Sequence, residues 1–121
     1  TPTLRGTRRN PALRGEFKGI GENNFTLGHR ARAVMEGVVS ELLESYNLMG
    51  NINSRFITGA GNGLVKSEIW QKITARAFGL PLKIADMENA VFGAAVSAAE
   101  GAGLLTLEQI SIPYIRTVLP E

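Results

Sequence analysis

Between Arg55 and Trp70 a short apolar run gives way to glycines at alternate positions, Gly59, Gly61 and Gly63, and then to the opening of an amphipathic helix. Glycine at such a turn lets the backbone bend sharply and lets a ligand reach the main chain without meeting a Cβ. A helix that follows offers unpaired N–H groups and a positive dipole end, which suits an anion such as a phosphate. The pattern predicts strand, tight turn and helix in succession, and a nucleotide site is the first expectation. Neither well-known phosphate motif is matched, however. The dinucleotide fingerprint needs G-x-G-x-x-G, and a P-loop needs Gly-Lys-Ser/Thr in sequence, whereas Leu64 and Val65 separate Gly63 from Lys66 and Ser67. A glycine-rich turn that binds nothing accounts for these residues equally well.

Composition removes several alternatives. The chain has 121 residues, enough for one domain or part of one, and its apolar fraction of 44% allows a real core. It has no cysteine, which excludes a disulfide framework or thiolate metal site, and its single histidine, His29, argues against a histidine-based metal cluster. No charged-then-apolar leader and no bilayer-length apolar run are present, so a soluble, cytoplasmic protein with no membrane partner is expected. The net charge is only +2, yet Arg5, Arg8, Arg9, Arg14 and Lys18 crowd the first eighteen residues against Glu16 alone. A single-strand nucleic-acid surface needs aromatic residues interleaved with such a patch, and only Phe17 lies there. A solvated or interdomain basic segment is the preferred reading over nucleic acid.

Along the chain, strands and helices alternate. Glu16 to Ile20 is a candidate strand, and Asn23, Asn24 or Thr26 is placed to cap a helix over about Leu27 to Leu48. Ala31, Val34, Met35, Val38, Val39, Leu42 and Leu43 recur at helical spacing, which predicts one buried face. A strand from Arg55 to Thr58, a helix from about Lys66 to Phe78 stopped by Gly79, and a strand from Leu82 to Ala85 follow. A third helix spans Asn89 to Glu100, with a face of small residues (Ala90, Gly93, Ala94, Ser97, Ala98) suited to close packing by another helix or by a ligand. Leu105 to Ile110 reads as a short turn, and the tail as extended. This alternation predicts an α/β fold with a largely parallel sheet, whose ligands bind beyond the carboxyl ends of the strands.

Four ordered blocks resemble the C-terminal domain of the FGGY carbohydrate kinases. An opening with Pro2, Gly6, Thr7 and Arg8 is followed by Arg14, Gly15 and Gly19, similar to the family's Arg-Gly-x-x-x-Gly strand. His29, Arg32, Ala33, Glu36 and Gly37 match its His-x-x-Arg-Ala-x-x-Glu-Gly helix without a gap. Gly59, Gly61, Lys66, Ser67 and Trp70 follow its Gly-Gly-Gly-Ala-Lys-Ser-x-x-Trp turn, with two extra residues before the lysine. Glu88, Gly93, Ala94 and Ala95 match its Glu-x-x-Ala-x-Gly-Ala-Ala helix, with Val91 where alanine is usual. The longer loop and the Gly-Thr-Arg opening look most like the sedoheptulokinase branch, with xylulokinase-like relatives as the alternative.

The resemblance implies a partial ribonuclease-H-like domain with three main helices and short strands, spanning residues 1–121, from an enzyme that transfers the γ-phosphate of ATP, with Mg2+, to a sugar hydroxyl. In the family the matching turn holds the adenosine part of the nucleotide. Gly59 and Gly61 are thereby implied for close backbone approach, Ser67 for a polar contact near the adenine, and Asn62 and Lys66 as further contacts. His29, Arg32 and Glu36 read as architecture, the last two paired four residues apart. The family's catalytic aspartate, sugar-binding residues and phosphate-contacting loop lie upstream of everything matched here. Phosphoryl transfer rests on positioning and charge stabilisation around the transferred group, so the chain is expected to be silent alone and to meet sugar only through other parts of the enzyme. A non-catalytic nucleotide-binding or protein-interaction module of the same fold is the alternative. Two sheet strands between Glu16–Ile20 and Arg55–Thr58 would also come from upstream. An edge-paired or domain-swapped oligomer, or a rearranged first strand, is then expected.

Overall fold

The computed structural model describes residue 6 and residues 10–50, 53–85 and 89–121. Pro2, Thr7, Arg8 and Glu88 of the resemblance, and Arg5 and Arg9 of the basic segment, lie outside the described residues. The chain forms two compact units, Thr1–Asn53 and Ser54–Glu121.

The first unit is built on helix α1, Leu27–Asn47. Thr26 caps it with extended backbone, its hydroxyl accepting from the His29 N–H at 3.4 Å, while Leu48 closes the other end and Gly50 turns the chain away at φ +86°. The expected apolar face is only partly covered: Val39 is buried and Met35, Val38 and Leu43 are half-buried, but Ala31, Val34 and Leu42 are exposed. The predicted strand Glu16–Ile20 is not formed. Gly19 takes φ +70°, and the Asn24 side chain clasps the chain by donating to the Gly19 carbonyl at 2.8 Å and accepting from the Gly21 N–H at 2.6 Å. A strand needs a ladder partner, and among the described residues this unit contains no other strand. Phe17 instead meets Phe25 edge to face at 6.1 Å.

The second unit carries strands β1 (Ile57–Gly59), β2 (Leu82–Ala85) and β3 (Tyr114–Val118), helices α2 (Asn62–Val65), α3 (Glu68–Phe78) and α4 (Asn89–Gly101), and a 3₁₀ turn at Leu107–Gln109. The sheet runs β1-β2-β3. β1 and β2 are parallel, joined through α2 and α3, with Ile57 opposite Leu82 and Gly59 opposite Ile84. β3 is antiparallel to β2, with an irregularity between Ile84 and Ala85, so the described sheet is mixed rather than largely parallel. The extended tail supplies that third strand. It follows α4 and the 3₁₀ turn and runs back along β2, so it pairs antiparallel.

The core of this unit is small. Ala75 of α3 packs with Leu82 and Ile84 of β2, and Ile57, Leu64, Val65 and Val118 close around them. α3 starts at Glu68, two residues later than expected, because Ser67 caps it: its hydroxyl accepts from the Trp70 N–H at 3.3 Å. Gly79 ends the helix at φ +62°, as glycine at this position predicts. On the other sheet face, Lys83 sits 3.8 Å from the Phe56 ring centre and 5.1 Å from that of Tyr114, whose hydroxyl lies 3.2 Å from that of Thr58. The small-residue face of α4 is exposed throughout; the half-buried stripe is Phe92 and Val96, with Ala99 in line. Larger side chains remove more apolar surface from water per contact, which favours that stripe.

Candidate functional site

The turn after β1 is the site candidate, and its geometry follows from two glycines acting for different reasons. Gly59 ends β1 and is buried. A Cβ there would stand 2.5 Å from Leu64 Cδ2, 2.8 Å from Leu82 Cδ1 and 3.2 Å from Ile84 Cδ1. Glycine at this position therefore lets the turn close onto the core. Gly61 is the opposite case. Its φ of +90° and ψ of 145° lie where side-chain-bearing residues are strained, and a Cβ would meet nothing within 4 Å. It is exposed, and the backbone above it is open to a ligand.

Gly61 also starts α2. Its carbonyl accepts from the Leu64 N–H at 3.1 Å and the Val65 N–H at 2.9 Å, and the Asn62 carbonyl accepts from the Lys66 N–H at 3.1 Å. No side chain caps this end. Asn62 is therefore the exposed first residue of a single helical turn, and Lys66 is its exposed C-cap. The Trp70 ring lies beside Gly63, 3.8 Å from where a Cβ would be.

Of the expected contacts, Gly61, Asn62 and Lys66 present exposed groups within one turn of chain, while Gly59 is committed to packing and Ser67 to capping α3. The helix expected to start at about Lys66 starts at Glu68 instead. A separate single turn, α2, precedes it, and the N-terminus of α3 carries the Ser67 cap and Glu68, whose carboxylate is 3.6 Å from Arg116. A carboxylate in the first turn already complements the dipole.

Two residues that sequence reasoning missed hold the turn from behind. Gln71, 1% exposed, donates both amide hydrogens to α2 carbonyls: Leu64 O at 2.7 Å and Val65 O at 3.0 Å. Arg116 of β3 donates to Val65 O at 3.2 Å. A polar residue at an apolar-face position of α3 was a readable signal for Gln71. Nothing in the sequence pointed to Arg116, which is 51 positions from its acceptor.

The first unit holds an open recess of about 310 Å³ lined by Phe17, Asn24, Phe25 and Arg30 among others. Its charges already have partners: Lys18 with Glu16 at 3.0 Å, Arg32 with Glu36 at 2.7 Å, and Arg30 over the Phe25 ring at 5.2 Å. His29 Nδ1 contacts the Thr26 hydroxyl at 2.7 Å. His29, Arg32 and Glu36 thus serve the start and surface of α1. Among the described residues no group of three histidine, aspartate or glutamate side chains is placed to hold a metal ion, and no helix is long and apolar enough to cross a membrane.

This architecture has close counterparts of known structure. A ligand-bound xylulose kinase from Lactobacillus acidophilus superimposes with a TM-score of 0.85 at 26% identity, covering 99% of this chain and 26% of that one. A xylulose-kinase structure from Brucella ovis gives 0.84 at 26% identity, covering 99% and 27%. These likenesses establish the expected ribonuclease-H-like α/β architecture. Residues 2–102 match the model of the C-terminal domain of the FGGY family of carbohydrate kinases, and the chain belongs to that family. The curated relatives agree: xylulose kinase of Staphylococcus epidermidis is 35% identical over 123 residues (96% of this chain, 24% of the relative), and mouse sedoheptulokinase is 29% identical over 111 residues (90% and 22%). The chain thus spans about a quarter of the length of the relatives it matches.

Proposed function

We propose that this chain is the nucleotide-binding portion of an ATP-dependent sugar kinase acting on a ketose such as sedoheptulose or xylulose. The observation that carries the proposal is the open, glycine-only turn at Gly61, set at the carboxyl end of a parallel strand in a chain of this family. The Gly61 and Asn62 backbone and the Asn62 side chain line the adenosine part of the nucleotide, with the Ser67 hydroxyl proton and Lys66 as further contacts. Gly59 acts by letting the turn close. Mg2+ comes with the nucleotide phosphates, and among the described residues no carboxylate cluster is placed to hold it. The base that takes the sugar hydroxyl proton lies outside this chain, and the chain alone is catalytically silent. We place the protein in the cytoplasm.

Calorimetric titration of the protein with ADP and with MgATP tests the reading. Saturable binding, weakened by Asn62→Ala and abolished by Gly61→Val, is expected; no binding by the parent protein overturns it. A phosphotransfer assay with both ketoses then reads activity and sugar choice. Within the described sheet β1 has one unpaired edge, so edge-paired or swapped association is the companion expectation, and a compact monomer by size exclusion with light scattering refutes that part.

A further inference from the structure

We propose that Gln71 and Arg116 are positioning residues that hold the nucleotide turn in its binding shape. The proposal rests on the nucleotide reading above and extends it to residues that do not face the ligand. α2 is a single turn of helix, Asn62–Val65. A lone turn is not stable by itself, since nucleation fixes several dihedrals for one hydrogen bond. Its geometry must therefore come from outside. At its start the Gly61 carbonyl ties Leu64 and Val65, but that bond pattern leaves the turn free to pivot about glycine. At its end the buried Gln71 amide spans two successive carbonyls, Leu64 O and Val65 O, and the Arg116 guanidinium adds a second donor to Val65 O.

The burial of Gln71 supports this role. A leucine at a position 1% exposed would gain apolar transfer energy, whereas an amide there is tolerable only when its groups are bonded. Both amide hydrogens are spent on the turn and none on α3's own neighbours. Arg116 comes from β3, so the third strand is linked to the turn as well, and its ion pair with Glu68 at 3.6 Å aims the guanidinium. Orientation is worth much in such sites, since a displacement of about 1 Å far from the reacting atoms can cost on the order of a hundredfold.

The test uses Gln71→Leu, which keeps the volume and removes both bonds, and Arg116→Met, which acts from a partly exposed strand position and serves if the buried variant folds poorly. Amide hydrogen exchange reads the clamp without ligand, and titration with ADP reads its consequence. Faster exchange at Leu64, Val65 and Lys66 with β2 unchanged, together with ADP binding weakened roughly tenfold or more, is the expected result. Unchanged exchange in both variants overturns the clamp. Faster exchange with undiminished ADP affinity shows a purely structural bond and overturns the positioning role. If the parent protein binds no ADP, the nucleotide reading fails and positioning fails with it, while the exchange data still decide whether the clamp exists.

Discussion

Replacing Gly59 with alanine separates two reasons for a glycine at the end of β1. If the position must be bare only so that a nucleotide approaches the backbone, Gly59→Ala lowers nucleotide affinity and leaves the fold intact. The structure predicts a loss of stability with no ligand present. The added methyl would stand 2.5 Å from Leu64 Cδ2, 2.8 Å from Leu82 Cδ1 and 3.2 Å from Ile84 Cδ1. Leu64 is half-buried and has room to move, but Leu82 and Ile84 are fully buried, at 1% and 0% exposure. Overpacking of this kind costs about 1–3 kcal/mol. Removing glycine also restricts the unfolded chain and returns about 0.4–1 kcal/mol. The net expectation is a loss of about 1–2 kcal/mol, or a Tm lower by roughly 4–16 °C for a unit of this size. Thermal melts followed by circular dichroism measure it. In a Leu64→Ala background the nearest obstruction is gone, and the same substitution should cost less by about 0.5 kcal/mol or more. A Tm that is unchanged or raised by Gly59→Ala in the parent protein refutes the packing account.

Further outcomes follow from the same unit. Ile84→Ala leaves a cavity in a core of few residues and should cost about 2–5 kcal/mol, read as a shifted urea midpoint. Gly79→Ala forces a side chain into the left-handed C-cap at φ +62° and should cost about 1–2 kcal/mol in thermal melts. Ser67→Ala removes the cap of α3 and should cost about 1 kcal/mol, and Ser67→Asp should restore stability, because aspartate caps as well as serine. If Ser67→Asp also restores ADP affinity, the hydroxyl proton has no role at the adenine.

What the sequence determined by itself is what neighbours along the chain decide. The start of α1 after Thr26, the stop of α3 at Gly79, the span of β2 and the strand–turn–helix order around Gly59 to Ser67 are set by caps, glycines and periodicity, whose bonds reach at most a few residues. The family was legible for the same reason, since its blocks are local strings in a fixed order. Tertiary structure decided whatever depends on partners distant in sequence. Glu16–Ile20 has strand-like residues, but among the described residues its unit holds no strand to pair with, and Asn24 instead clasps the chain at Gly19 and Gly21. The tail became β3 only by finding β2, which turned an expected parallel sheet into a mixed one. Gly59 and Gly61 look alike in the sequence; the core side chains around one and the open space around the other give them different tasks. Gln71 and Arg116 reach the turn across 6 to 7 and 51 positions respectively, one by lying on the inner face of α3 and the other by the register of an antiparallel strand. A register is fixed by packing and by hydrogen bonds between segments, and no local pattern encodes it.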